Sequence, residues 1–360
     1  MPVEAPTRGA VGETNTAIAL PPKRKTAVDF LPGRLVLTLA SPYLAGRSGE
    51  QALAIAHRLY EEQRFASTLD ILGEDAERDE DCESSVQNYM RLVDALSAKP
   101  LPVAKPRAQI SISFKPSMFS VMAPQPGAES RKALDDAFDR IMRVVDYGAK
   151  HKINMTLEAE DHRWTNFHLE AYFALVNAGY TNIGTVLQTR LFRTLDDIKR
   201  FDSRMRVRLV IGIYNEPSQI AYTDKRFMKQ LLVEYAGELL GKGTYVEVAS
   251  HDLHCIEDFY TQVVIPQRIS AYNFEHQFLQ GVPRAKLVKG LISGAYFESL
   301  KKKLAADDLE FADQLKEQGA LVRMYLPFGS AEVSGAYCRR RLIENPNMFI
   351  FGIKNLLGIH

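Results

Sequence analysis

One short stretch near the C-terminus concentrates the groups that could do chemistry. It reads Ala336-Tyr-Cys-Arg-Arg-Arg-Leu-Ile-Glu-Asn345, and on a helix Tyr337, Arg340, Arg341 and Glu344 fall at i, i+3, i+4 and i+7 and share one face. Leu342 and Ile343 bias the apolar stripe to another side. Two adjacent guanidiniums can approach a small carboxylate from two directions with directed donors, and they stay charged at any working pH. Glu344 would hold them in place and offset part of their mutual repulsion. Tyr325, in Tyr325-Leu-Pro-Phe-Gly just upstream, and Tyr337 would wall a small ring. A solvated charged face with one ion pair explains the same pattern, and the helix alone leaves both readings open.

The other polar candidates stand at the ends of β-rich runs: Lys115, Glu158 with Glu160, Gln188, Arg208 with Tyr214, His251, Glu275 and Tyr325. They form a hydrogen-bonding set without a serine or cysteine nucleophile beside a base. The elements that must position them alternate. Strands are expected at Gln109–Phe114, Asn154–Ala159, Asn182–Gln188, Arg206–Tyr214, Tyr245–Ser250, Ser270–His276 and Ala320–Leu326. Helices are expected at Arg131–Tyr147, Phe167–Ala178, Asp224–Leu240, Leu253–Pro266 and Ser330–Glu344. Regular βα alternation rich in Val and Ile implies a parallel sheet with helices outside, and seven strands plus an expected eighth favour a closed (βα)8 barrel of the TIM type. In such barrels catalytic side chains gather at the C-terminal strand ends. No Gly-x-Gly-x-x-Gly follows the first of these strands, which disfavours a classical dinucleotide domain. Gly237–Thr244 has the wrong spacing for a phosphate loop and reads as a helix-ending turn.

Upstream, residues 48–97 look helical, and the proline-bearing linker Lys99–Arg107 opens the alternating regime. The expected organisation is a disordered tail over 1–28, an N-terminal helical segment over 29–106 and the barrel over 107–360. Lys and Arg (45) nearly balance Asp and Glu (44), which argues against a nucleic-acid partner. The three cysteines, Cys82, Cys255 and Cys338, are far apart and fit a reducing compartment. No apolar run approaches the roughly 20 residues of a membrane span, and there is no secretory leader pattern. A cytoplasmic protein, peripheral at most to the inner face of a membrane, is expected.

At the level of motifs the chain resembles the proline dehydrogenase family. Tyr325-x-Pro-x-Gly, then Tyr337, then Arg340-Arg341-x-x-Glu344-Asn345 is similar to that family's signature in every spacing. In order along the chain, Phe65-Ala-Ser-Thr-Leu-Asp-Ile-Leu-Gly-Glu resembles its N-terminal helical motif, Ser113-Phe-Lys-Pro-Ser its first-strand lysine motif and Thr156-Leu-Glu-Ala-Glu-Asp its second-strand acidic motif. Val186-Leu-Gln188, Arg208-Leu-Val-Ile-Gly-Ile-Tyr214, Ala249-Ser-His-Asp252 and Phe274-Glu-His-Gln-Phe-Leu279 resemble the next four.

The resemblance implies a distorted (βα)8 barrel, preceded by N-terminal helices, whose last helix lies over the active site. It implies FAD-dependent oxidation of L-proline to Δ1-pyrroline-5-carboxylate by hydride transfer to the flavin, with electrons passed to a quinone. Arg340 and Arg341 would bind the proline carboxylate with Lys115 assisting. Tyr325, Tyr337 and Leu279 would line the ring pocket, and Glu158 is the candidate base. Arg208, Gln188, Val210, Gly212, Tyr214, His251 and Glu275 would hold the cofactor. Three positions depart from the family pattern: Ile211 replaces a lysine, Glu158 an aspartate, and Arg190 stands where a tyrosine is common. None of the three touches the carboxylate clamp, and together they leave room for an altered flavin potential, an altered electron acceptor or weaker activity.

Two other functions fit parts of the sequence. Glu158, Glu160 and His162 alternate and could form a metal site of a barrel hydrolase if the strand extended that far. A barrel that only binds proline or flavin, without turnover, is the other.

Overall fold

A computed structural model describes residues 27–73 and 75–344, leaving aside the side chains of Ala27, Asp29, Ala336, Arg340, Arg341 and Glu344. The expected tail over 1–28 therefore lies almost wholly outside the described residues, as does Asn345 of the signature.

Eight parallel strands close into a barrel in sequence order: β1 (Ala66–Ile71), β2 (Ser111–Phe114), β3 (Met155–Leu157), β4 (Ile183–Gln188), β5 (Arg206–Val210), β6 (Tyr245–Ala249), β7 (Phe274–Leu279) and β8 (Leu321–Phe328). The eighth strand of the sequence reading is β1, in the stretch 48–97 expected to be helical. It joins β8 through six register pairs from Ala66↔Arg323 to Ile71↔Phe328, and β2 through Thr68↔Ser111 to Asp70↔Ser113. The barrel thus begins at Ala66, well before the expected boundary at 107. Period-two alternation in Ser67-Thr-Leu-Asp70 is the reason: Leu69 faces the helices, whereas Thr68 meets Ser111 inside the barrel, Oγ to Oγ at 2.7 Å.

Other boundaries shift for local reasons. Strand β7 starts at Phe274, since Ser270–Asn273 is a turn closed by Asn273 N–H on the Ser270 carbonyl. Strand β5 ends at Val210, two residues before Gly212 takes φ +91°. Gly237–Thr244 is the helix-ending turn anticipated, with Gly243 at φ +79°.

Three of the βα loops at the C-terminal end of the barrel finish on an aspartate that caps the next helix. Asp161 accepts from Arg163 N–H, Asp224 from Arg226 N–H and Asp252 from Cys255 N–H. Each cap satisfies an otherwise orphaned amide and fixes where the helix starts, so the loops above β3, β5 and β6 each end at a fixed point.

Inside the barrel the strands present polar side chains. Arg206 pairs with Glu247, Arg323 with Glu275, and Gln277 donates to both carboxylates, all of them buried. Apolar residues face outward against the helices. Among the described residues no helix is long and apolar enough to cross a membrane.

The final helix, Ala331–Glu344, leaves the C-terminal end of β8 and packs on the N-terminal helix Gly33–Ala40. Tyr337, Cys338 and Leu342 share one apolar cluster with Val36, Leu39 and Tyr43, and with Leu72 just beyond β1. Leu279, the last residue of β7, packs against the same cluster. Arg339 ties the helix further to the chain's beginning, donating to the carbonyls of Val28 and Leu31 at 2.6 and 2.8 Å. The two helices together roof the mouth of the barrel.

Candidate active site

Beneath that roof a buried network joins five strands. Arg208, from the interior face of β5, donates to Glu158 Oε1 at 2.5 Å and to Ser113 Oγ at 3.3 Å, and its Nε stands 3.4 Å from Glu247 Oε2. The Tyr325 hydroxyl donates to the same Glu158 Oε1 at 3.2 Å, and the guanidinium carbon lies 5.1 Å from the centre of the Tyr325 ring. Burial works against the Arg208 charge, but Glu158 and Glu247 outweigh it and hold the guanidinium above its usual value. Burial and the carboxylates of Asp70 and Glu158 push the Tyr325 phenol far up, so it remains a donor at any working pH. The network is therefore a fixed cation flanked by carboxylates, with one phenolic O–H directed at Glu158.

Lys115, one residue past β2, places Nζ 3.8 Å from Asp70 Oδ2 of β1 and donates to the Gly73 carbonyl at 3.2 Å. Gln188 ends β4, where its Nε2 donates to the Glu160 carbonyl at 2.8 Å, while its buried Oε1 has no hydrogen-bond partner among the described residues. Gly212 packs directly on it: a Cβ there would stand 2.6 Å from Gln188 Oε1. Val210 offers its carbonyl to Thr189 N–H at 2.8 Å, and Tyr214 is half-buried in the loop beyond. The His251 Nε2 accepts from Leu279 N–H at 3.3 Å, with Nδ1 buried and without a partner among the described residues. Burial, then the Arg284 charge, push this imidazole down to about 4, so it is neutral near pH 7.

Most residues singled out in the sequence converge here: Lys115, Glu158, Gln188, Arg208, Val210, Gly212, Tyr214, His251, Leu279, Tyr325 and Tyr337. Glu275 does not. It is the second residue of β7, low in the barrel, where Arg323 Nε donates to it at 2.6 Å and Tyr245 at 3.2 Å. It is a structural ion-pair partner at the opposite end from the mouth, and the expected cofactor contact is withdrawn. Arg340, Arg341 and Glu344 belong to the final helix, but their side chains lie outside the described residues. Sequence reading left Asp70, Ser113 and Glu247 unassigned. The alternation in β1 and β6 was the available signal for Asp70 and Glu247.

The metal-site alternative fails on geometry. Strand β3 ends at Leu157, and the three acceptors then diverge. Glu158 serves Arg208 and Tyr325, Glu160 accepts from Ser117 N–H and Oγ at 2.9 and 2.6 Å, and His162 meets Glu216 at 2.7 Å. The lone tryptophan, Trp164, is a packing residue, 2% exposed and edge-on to Phe167.

The mouth suits a flavin. An isoalloxazine edge carries alternating donors and acceptors, and here, among the described residues, it would find an unsatisfied buried amide oxygen, an unsatisfied imidazole nitrogen and a fixed guanidinium.

A family profile described as proline dehydrogenase matches residues 52–351. The proline dehydrogenase of Deinococcus radiodurans is 30% identical over 332 residues, spanning 92% of this chain and 94% of that protein. Proline dehydrogenase 1 of Bacillus subtilis (strain 168) is 25% identical over 336 residues, spanning 93% of this chain and 96% of its own length. Among solved structures, proline utilization A from Bdellovibrio bacteriovorus, inactivated by N-propargylglycine, superposes with a TM-score of 0.66 at 21% identity over 86% of this chain. The chain spans 33% of that larger protein, and this likeness speaks for the fold.

Proposed function

The chain belongs to the proline dehydrogenase family and oxidises proline to Δ1-pyrroline-5-carboxylate, and we propose that it does so at the mouth just described with FAD as its cofactor. The observation that carries this placement is Glu158 Oε1, bonded at once by Arg208 and Tyr325 beneath the final helix. When bound, FAD supplies the acceptor for the hydride that leaves proline C5.

Gln188, Val210, Gly212, Tyr214, Arg208 and His251 would hold the cofactor. The neutral His251 contributes a hydrogen bond rather than a charge, and Arg208 favours negative charge developing nearby. Arg340 and Arg341 take the substrate carboxylate, with Lys115 assisting and Glu344 steadying the guanidiniums. The support for that assignment is the spacing from Tyr325 to Asn345 and the path of the final helix over the mouth. Tyr325, Tyr337 and Leu279 line the ring pocket.

The substrate ammonium must lose a proton before its nitrogen can become an imine. Both hydrogen bonds to Glu158 fall on Oε1, so Oε2 has no protein partner among the described residues and is the assigned proton acceptor. The electrons pass on to a quinone, which the protein reaches by peripheral contact with a membrane from the cytoplasmic side.

Arg341→Met, prepared with FAD bound, tests the carboxylate assignment. Hydrogen bonds to a charged group contribute about 1.5–3 kcal/mol, so KM for proline should rise roughly 10- to 150-fold while FAD is retained. An unchanged KM would overturn it.

A further inference from the structure

The loop between β5 and the helix Lys225–Gly241 carries Gly212 and Tyr214, and its two halves are held differently. Its far half is laced by backbone: Phe192 N–H donates to Ile220 O at 3.0 Å, Tyr222 N–H donates to Arg190 O at 2.8 Å, and Leu191 bridges Ala221. Its near half has a side-chain anchor instead. The carboxylate of Glu216, 7% exposed as a residue, accepts from or pairs with His162 Nδ1 at 2.7 Å. Glu216 N–H also donates to the Tyr214 carbonyl at 3.0 Å, so a tight turn links the anchored residue to Tyr214.

The anchor point is itself rigid. His162 is the first residue of the helix His162–Asn177, whose N-cap Asp161 is gripped by Arg163 at 2.9 and 2.6 Å. Glu160 is occupied by Ser117. Among the described residues these three neighbouring carboxylates meet three different partners, and Glu216 meets His162. Burial pushes the Glu216 carboxyl up, as does Asp161, whereas the His162 ring and its backbone N–H oppose them. A helix N-terminus favours the same charge.

We propose that Glu216 is a positioning residue for the reaction: clipped to His162, it holds loop residues 211–216, and through them Gly212 and Tyr214, against the mouth of the barrel. The proposal rests on the reading that this loop contacts the flavin. Glu216 touches neither substrate nor cofactor in this scheme. Its effect is to keep the loop in the one conformation that seats the cofactor, so losing the clip should loosen flavin without displacing the barrel.

The test uses the full chain with FAD bound, comparing Glu216→Ala, Glu216→Gln and His162→Asn with the parent by amide hydrogen exchange and by the rate of flavin release. Exchange at residues 211–216 and flavin release should each rise at least about tenfold in Glu216→Ala, with the strands unchanged. Glu216→Gln, which can still accept from His162, should restore most of both. The double variant lacking both partners should be no worse than Glu216→Ala. If Glu216→Ala does not fold, His162→Asn decides, because its side chain is nearer the surface and the same loop should open. Exchange and release within twofold of the parent would overturn the proposal while leaving the flavin reading intact. Faster exchange with no flavin bound even by the parent would instead overturn the reading beneath it.

Discussion

Replacing Arg208 by methionine should cost more stability than any surface change, for a reason visible in its contacts. The guanidinium is buried and serves Glu158 at 2.5 Å, Ser113 at 3.3 Å and Glu247 at 3.4 Å. Methionine fills much of the space but none of these roles. Glu247 keeps Arg206 and Gln277, so its loss is modest. Among the described residues Glu158 keeps only the Tyr325 hydroxyl, and a buried carboxylate stripped of its cation is the dominant penalty. Removing one partner of a buried ion pair costs about 3–5 kcal/mol. With a urea dependence near 3 kcal/mol per M, typical of a larger domain, the unfolding midpoint should fall by roughly 1–2 M. Adding Glu158→Gln removes the stranded charge and should recover more than half of the loss, although both single variants are destabilised. The assay is urea unfolding of the four proteins near neutral pH. A midpoint shift below about 0.3 M for Arg208→Met, or a double variant less stable than Arg208→Met alone, would show that Glu158 does not depend on this cation.

Other outcomes follow from the same geometry. Burial pushes His168 and His251 down to about 4 and His276 to about 3, so the folded barrel refuses protons that the unfolded chain accepts below its ordinary value of 6.5. Their stabilising contribution is complete above about pH 6.5 and is lost as pH falls toward about 4, with a combined slope approaching about 4 kcal/mol per pH unit. Urea midpoints across that range check this, and His168→Gln should remove about one third of the slope. Gly212→Ala would bring a methyl group to 2.6 Å from Gln188 Oε1 at φ +91°, and should weaken flavin retention on gel filtration. Gly179→Ala, at φ +95° with nothing within 4 Å, carries similar backbone strain in open space and should retain flavin. Arg323→Met, at the far end of the barrel from the mouth, should lose about 3–5 kcal/mol in urea unfolding yet leave KM for proline within twofold.

The barrel was legible because parallel strands buried on both faces read as short Val- and Ile-rich runs between amphipathic helices. Strand β1 was not, since its inward residues Thr68 and Asp70 are polar, Ser67 on the outward face is polar as well, and it sits between two helices, which dilutes the apolar signal. Glu275 was misplaced by a boundary error. With the strand taken as Ser270–His276 it stood at the C-terminal end, whereas the true start at Phe274 puts it low in the barrel. Glu158, Arg208 and Tyr325 were recognised one by one, but their meeting on a single oxygen depends on barrel closure, which brings residues 158, 208 and 325 together. The Glu216–His162 clip is of the same kind. Glu216 does not stand out in its own segment, His162 stood out only as a metal-ligand candidate, and only the packing of one loop on the next helix pairs them.

On the proposed reading, proline gives up its hydride to a flavin seated at this mouth. Anaerobic titration of the purified, FAD-loaded protein with L-proline tests it most directly. The visible flavin band should bleach in proportion to added proline, with Δ1-pyrroline-5-carboxylate appearing in equal amount. A protein that takes up no FAD, or whose flavin band is unchanged at saturating proline, would contradict it.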